Sequence, residues 1–225
     1  MRLSIVVPVL DEAEGIAAFL QSLQALRAQG HEVIVVDGGS RDGTPGLAQA
    51  LADRVVAAPR GRATQMNAGA RVAHGDALLF LHADTRLPGD AAKRVADALM
   101  SGHVWGRFDV VIEGRSHWLP LIGAMMNARS RVTGIATGDQ AIFVSRAGFE
   151  AAGGYPDQPL MEDIELSKRL KRLGTPAGLR ARVTTSGRRW ERDGVWRTIL
   201  LMWRLRFAYW RGVPAERLVA RYYGP

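Results

Sequence analysis

Four short apolar runs, separated by stretches with helical spacing, constrain this chain more than any other feature of its sequence. Leu3–Leu10, Val33–Val36, Arg54–Ala58 and Ala77–Leu81 read as strands, and the first two are apolar enough to be buried on both faces. Between the first two, Ile16, Phe19, Leu20, Leu23 and Leu26 recur at helical spacing, and Gly30 closes that helix. Helices around Thr44–Ala52 and Ala63–Ala73 fill the next two gaps. This β-α-β-α-β-α-β rhythm predicts a mostly parallel, doubly wound α/β sheet. Ligands of such sheets bind beyond the carboxyl ends of the strands, so the polar residues after each strand are the first candidates for chemistry.

After Asp84 the pattern loosens. Trp105–Ile112 and Gln140–Val144 read as further strands, and Leu119–Arg131, Glu162–Leu173 and Val195–Trp210 as helices. No repeat, low-complexity tract or linker interrupts the 225 residues, which suit one domain. We expect a catalytic domain over residues 1–190 and a helical segment over 191–225. With 47% hydrophobic residues the core needs no staples, and the absence of cysteine excludes disulfides and thiolate metal sites. The opening residues show no secretory leader, and no apolar run reaches the roughly 18–20 residues that span a bilayer. The expected location is therefore cytoplasmic.

Three acidic positions follow apolar runs or open a helix. Asp37 ends Val33–Val36 and begins the loop Asp37-Gly38-Gly39-Ser40. Such a loop can accept a hydrogen bond from a nucleotide base and let a ligand approach the backbone, and it can equally be a turn with a helix cap. Asp84 ends Leu78–Ala83, where a carboxylate can hold a hard divalent cation beside diphosphate oxygens. His82, two residues earlier, can point to the same side, either as a ligand or as a structural histidine. Glu162 and Asp163 open a helix, where the dipole keeps carboxylates ionised. They read as helix-start residues or as a general base that takes a proton from an acceptor hydroxyl.

These residues carry a resemblance. Ser4–Glu12, Val35–Thr44, Leu81-His82-Ala83-Asp84, Met161-Glu162-Asp163 and Ser186-Gly187-Arg188-Arg189-Trp190 resemble, in order, the motifs of glycosyltransferase family 2. The resemblance implies a GT-A fold, a Rossmann-like sheet followed here by a C-terminal helical segment. It also implies inverting transfer of a single sugar from a UDP- or GDP-sugar to an acceptor hydroxyl, the acceptor being a lipid or a small hydroxylated molecule. Pro8, Val9, Glu12, Asp37, Gly39, Arg60, Arg62, Asn67 and Asp84 are then the nucleotide-binding positions. Asp84, with His82 beside it, binds Mg²⁺ or Mn²⁺. Asp163 is the base with Glu162 next to it, and Asp139, Gln140, Arg189 and Trp190 hold the acceptor or the diphosphate. His82 stands where the family's Asp-x-Asp has its first carboxylate, and Ser186 where processive members have glutamine, so single-sugar transfer is expected. Gly138–Gln140, Gly153–Pro156 and Ser186–Trp190 look most similar to the bacterial radical-SAM/selenodomain-associated transferase 2 subgroup.

The formal charge is +8, and most of the excess falls after Ser186, where nine arginines face three acids. Basic proteins favour acidic partners. Nucleic acid is not expected, because no helix-turn-helix, zinc or aromatic RNA-binding pattern accompanies the charge. In Val195–Trp210 the residues Trp196, Ile199, Leu200, Trp203, Phe207 and Trp210 form an apolar stripe flanked by Arg197, Arg204 and Arg211. Three readings suit it: packing on the main domain, peripheral contact with the inner face of the membrane, or a homodimer interface. The alternative overall function is a nucleotide-sugar-binding or membrane-docking protein of the same fold without transferase activity.

Overall fold

A computed structural model describes residues 1–223. Eight strands form one sheet: β1 (Leu3–Val9), β2 (Glu32–Asp37), β3 (Arg54–Ala57), β4 (Ala77–Phe80), β5 (Thr85–Arg86), β6 (Trp105–Glu113), β7 (Phe143–Ser145) and β8 (Ala177–Ser186). Their spatial order is β3-β2-β1-β4-β7-β6-β8-β5. The helices are α1 (Ala13–Ser22), α2 (Gln24–Ala28), α3 (Thr44–Ala48), α4 (Arg62–Val72), α5 (Ala91–Met100), α6 (Leu119–Thr133), α7 (Arg146–Ala151), α8 (Glu162–Lys171), α9 (Arg188–Asp193), α10 (Val195–Trp210) and α11 (Ala215–Tyr223). A 3₁₀ turn covers Gly138–Gln140.

The first half follows the expected rhythm: β3, β2, β1 and β4 are parallel neighbours. All of β2 and all of β4 are buried, as apolar strands covered on both faces must be. On one face Ile5, Val7 and Val9 pack with Ile16 and Leu20 of α1. On the other Val6, Ile34 and Val36 pack with Ala63, Met66 and Ala70 of α4. Gly69 lets α4 approach closely, since a Cβ there would collide with the side chains of Val6 and Val36.

The second half is mixed. β7 is antiparallel to β4 and to β6, β8 is parallel to β6, and β5 is antiparallel to β8. The expected parallel pairing thus holds through β1–β4 and again between β6 and β8, and the antiparallel strands β7 and β5 make the sheet mixed. The chain reaches the carboxyl end of the sheet at Gly138–Gln140 before it enters β7, so β7 must run back, opposite to β4. The strand expected at Gln140–Val144 accordingly divides into that turn and β7. The ten-residue strand β8 is not among the expected elements, although Leu179, Ala181 and Val183 alternate with Arg180 and Arg182 as in a strand with one covered face. The C-terminal helices build a small core of their own against the start of α8: Leu160, Met161 and Ile164 meet Leu205 of α10 and Leu218 of α11. The boundary expected after residue 190 falls inside α9.

Candidate active site

Two hollows meet at the carboxyl ends of β1 and β4. The first, about 560 Å³, is lined by Pro8, Val9, Glu12, Arg60, Arg62, Gln65, His82 and Asp84. The second, about 200 Å³, contains Arg62, His82, Asp84, Asp139, Glu162, Asp163, Arg189 and Trp190. Arg62, His82 and Asp84 border both. Asp84 follows β4 and Asp163 opens α8, so residues 79 positions apart share one cleft, which Asp37 does not line.

The antiparallel β5–β8 pairing, Thr85 against Thr185, anchors the end of β8 beside Asp84. Both hydroxyls donate to Asp84 Oδ1, at 3.3 and 3.5 Å. Among the described residues Oδ2 accepts no hydrogen bond. No group of three or more His, Cys, Asp or Glu residues forms a protein cage among them either. A lone carboxylate with a spare oxygen fits a Mg²⁺ or Mn²⁺ that takes its other ligands from a diphosphate and water. His82 is held differently. Its Nδ1 lies 3.4 Å from Asp139 Oδ1, and its buried Nε2, without a hydrogen-bond partner, is pressed against Gly138. Burial would raise the Asp139 carboxyl, but the hydrogen bond and charge of His82, with Arg62 and Arg206 nearby, hold it below the usual range.

Met161 turns the chain into α8 in a left-handed conformation (φ 63°). A buried β-unbranched side chain tolerates this at some cost. Asp11 and Ala141, which also have positive φ, sit beside Glu12 and after the Gly138–Gln140 turn. Among the described residues these are the non-glycine residues with positive φ; Met161 lines the cleft, and Asp11 and Ala141 lie within two residues of its lining. Past Met161, Asp163 Oδ2 accepts from Gly138 N–H at 3.1 Å and Oδ1 from Ile164 N–H at 2.7 Å. Glu162 is 5% exposed. Burial, and then the charge of Asp163, push its carboxyl up to about 7. A buried carboxyl whose proton affinity is raised, beside a second carboxyl held by backbone N–H groups, is suited to proton handling.

Arg189 of α9 stacks on Tyr222 of α11, with its guanidinium carbon 3.8 Å from the ring centre, and donates to the Tyr222 hydroxyl. Arg188 reaches back to Glu12, 3.7 Å away, and burial raises the Glu12 carboxyl against the lowering effect of Arg188.

Other named residues lie elsewhere. Asp37 is 7% exposed and accepts from the N–H groups of Gly39 and Ser40 at 3.0 and 3.1 Å. It forms the turn behind Val9, with which it pairs in register, and Gly39 (φ 94°) shapes the same turn. Asn67 faces away from the cleft, clamping the N–H and carbonyl of Tyr155 at 2.9 Å each. Gln140 is wholly buried and bonds Thr137 and Asn127. Asn127 in turn clamps Val110 of β6, so Gln140 is a strut that ties the turn to α6.

Sequence reasoning missed Gln65, whose buried amide donates to the carbonyls of Val9 and Val36 and so fixes the ends of β1 and β2. It also missed Arg129 of α6 and Arg206 of α10. Arg129 is held down to about 10, first by burial and then by Arg206, with the charge of Asp163 acting in the other direction. An arginine on an otherwise apolar helix face was the available signal. Beside these two residues a further cavity, about 460 Å³, opens between α6 and α10, lined largely by Ile122, Met125, Met126, Ile199, Met202 and Trp203.

The sequence profile described as "Glycosyl transferase family 2" matches residues 4–149. A beta-monoglucosyldiacylglycerol synthase of Synechocystis sp. is 27% identical over 191 residues, 75% of this chain and 40% of the relative. An undecaprenyl-phosphate 4-deoxy-4-formamido-L-arabinose transferase of Aeromonas hydrophila is 30% identical over 111 residues, 44% of this chain and 34% of the relative. The chain thus spans less than half the length of either. Among solved structures, a mannosyltransferase of Pyrobaculum calidifontis in complex with GDP-Man and Mn²⁺ superposes with a TM-score of 0.62 at 23% identity, over 81% of this chain and 56% of that one. A glucosyl-3-phosphoglycerate synthase of Mycobacterium tuberculosis in complex with Mg²⁺ and UDP gives 0.59 at 22% identity, over 82% and 70%. The GT-A-like α/β fold is common to them.

Proposed function

The chain belongs to glycosyl transferase family 2, and from that premise we propose that it transfers one sugar from a UDP- or GDP-sugar to an acceptor hydroxyl with inversion at the anomeric carbon. The observation that carries this reading is the single cleft in which Asp84 and Asp163 face Arg62 and Arg189.

The hollow lined by Pro8, Val9, Glu12 and Arg60 receives the nucleoside, and the diphosphate lies between Arg62 and Arg189. Asp84 would hold Mg²⁺ or Mn²⁺, which supplies charge neutralisation of the leaving diphosphate. Asp163 is fixed by two backbone N–H groups, an orientation that leaves its remaining lone pairs for the acceptor hydroxyl proton. As that proton moves to Asp163, the acceptor oxygen bonds to the anomeric carbon from the face opposite the departing phosphate oxygen. Glu162, largely protonated below about 7, keeps a second negative charge away from the attacking oxygen. Asp139, paired with His82, and Trp190 flank the sugar. The likenesses at Gly138–Gln140 and Ser186–Trp190 favour the radical-SAM/selenodomain-associated transferase 2 subgroup, and a cytoplasmic place suits a donor made there. No helix among the described residues is long and apolar enough to cross a membrane.

The test is a thermal-shift panel of nucleoside diphosphates with and without Mn²⁺. UDP or GDP should raise the melting temperature, more so with metal, by the linkage of ligand to the folded state. Asp84→Ala should remove the metal-dependent increment. If neither diphosphate shifts the melt in the presence of Mn²⁺, the reading fails. Donor binding without turnover on any acceptor favours the binding-protein alternative.

A further inference from the structure

The outer face of α10 is uncovered. Trp196, Leu200, Trp203, Phe207 and Trp210 fall on one stripe of the helix, and each is at least 55% exposed. The opposite face, with Thr198 and Leu205, is the one that packs. Packing on the main domain therefore does not account for the stripe. Leu121 and Met125 of α6, also about half exposed, extend it, and Trp118 meets Trp196 with ring centres 4.9 Å apart. Five large side chains left in water on one helix form a patch of the kind that marks an interaction site.

Two further observations say what covers the patch. Arg197, Arg204 and Arg211 recur every seven residues and so run along one flank of the stripe, and the tryptophans supply rings with a polar edge. A helix with aromatic and leucine residues on one face and arginine alongside suits the headgroup boundary of an anionic bilayer. The apolar cavity between α6 and α10 shares Met125 and Trp203 with the patch. At its other end it shares Asp139, Trp190 and Arg206 with the catalytic cleft. It is thus an apolar passage from the exposed face to the reacting groups. Arg129 also lines it, with a buried Nη2 that has no hydrogen-bond partner. A buried guanidinium nitrogen left unpaired in an apolar wall is costly unless an anion meets it.

We propose that the acceptor is a membrane lipid whose headgroup carries a negative charge beside a free hydroxyl. The tryptophan face of α10 rests on the bilayer, the lipid chain enters the cavity between α6 and α10, and Arg129 and Arg206 hold the headgroup charge so that its hydroxyl reaches Asp163. The inference rests on the transferase reading only for this last step. The docking and the cavity stand without it. In the transfer, the headgroup O–H bond breaks toward Asp163, a bond forms from that oxygen to the anomeric carbon, and the sugar–phosphate bond breaks toward the diphosphate.

The test uses the full chain and needs no turnover. The protein should co-sediment with vesicles of phosphatidylcholine mixed with phosphatidylglycerol, release in high salt, and bind pure phosphatidylcholine far less. Phe207→Glu and Trp210→Glu should each weaken vesicle binding by about tenfold, while the circular-dichroism melt and the nucleoside-diphosphate thermal shift stay as in the parent chain. Dodecyl phosphate, below its micelle concentration, should perturb tryptophan fluorescence at lower concentration than either dodecanol or inorganic phosphate. Arg129→Met should erase its advantage over dodecanol and spare vesicle binding. Equal binding to both vesicle types, glutamate variants that bind like the parent, or dodecyl phosphate no better than inorganic phosphate would overturn the proposal. So would a dimer that Trp210→Glu dissolves and that excludes vesicles, because the face would then belong to a second copy. A diphosphate that fails to shift the melt while vesicles still bind sinks the transferase reading alone.

Discussion

The two halves of the cleft are built by different means. The half proposed for the donor rests on β1, β2 and β4, parallel strands that are almost wholly buried and, apart from Ser4, Glu32 and Asp37, apolar. Its functional groups sit in the short segments directly after those strands. The half proposed for the acceptor rests on β6, β7 and β8 and on helices that come later in the chain. Here β6 buries Arg107 and Asp109 as an ion pair, with Arg131 of α6 as a third member. Arg107 is 2% exposed, and burial lowers its proton affinity against the raising effect of Asp109. A buried charge of this kind specifies one arrangement only while every partner is present. The donor half should therefore tolerate conservative change, and the acceptor half should fail through single groups.

Four substitutions can break or sharpen that contrast. Asp163→Asn should divide the halves most clearly, with transfer falling by about 10²–10⁴-fold while the donor thermal shift remains. Loss of both together would mean that the halves are not separable. Asp109→Ala should destabilise the protein by about 3–5 kcal/mol in urea denaturation, since it strands the buried guanidinium of Arg107. Leu79→Met in the donor half is the control, a volume-conserving change at a fully buried position that is expected to cost less than about 1.5 kcal/mol. The fourth variant, Gly138→Ala, places a methyl 2.5 Å from the His82 ring, and overpacking of this sort costs about 1–3 kcal/mol.

The smallest effect concerns acidity. Glu162 ordinarily titrates at 4.5 and here at about 7, so the folded chain binds the extra proton between those values. Its contribution to stability is complete below 4.5 and is lost as pH rises through about 7. Glu162→Gln should remove that decline. The gap in melting temperature between variant and parent should widen across this window, and a gap independent of pH would show that the raised affinity is absent.

The same contrast explains what was legible in the sequence. β1, β2 and β4 announce themselves because a strand covered on both faces must be a continuous apolar run, and Asp84 follows from where such a run stops. β8 offers a different signal, Leu179, Ala181 and Val183 alternating with arginine, which a search for continuous apolar runs passes over, and two-residue β5 is below any periodicity. Glu162 and Asp163 could be named from their motif, yet their meeting with Asp84 depends on β5 pairing with β8 and on Met161 adopting a left-handed turn. Gln140 and Asn67 look like ligand-binding amides in one dimension. Gln140 instead closes a capping box with Thr137, a Thr-x-x-Gln spacing visible in the sequence, and reaches Asn127, while Asn67 bonds Tyr155, 88 residues away and beyond any spacing rule. Arg129 is the converse case, a residue on an unremarkable helix whose position beside Asp163 exists only in the fold.

The contact between His82 and Gly138 has an evolutionary consequence. The imidazole fills the volume in which any side chain at 138 would begin, so the two positions form one decision rather than two. A lineage that exchanged the histidine for a shorter acid would vacate that volume and free position 138 to diversify. One that kept the histidine has no such liberty. Reconstructed intermediates carrying a bulky residue at 138 together with His82 should be the dead ends between the two states, whichever substitution came first.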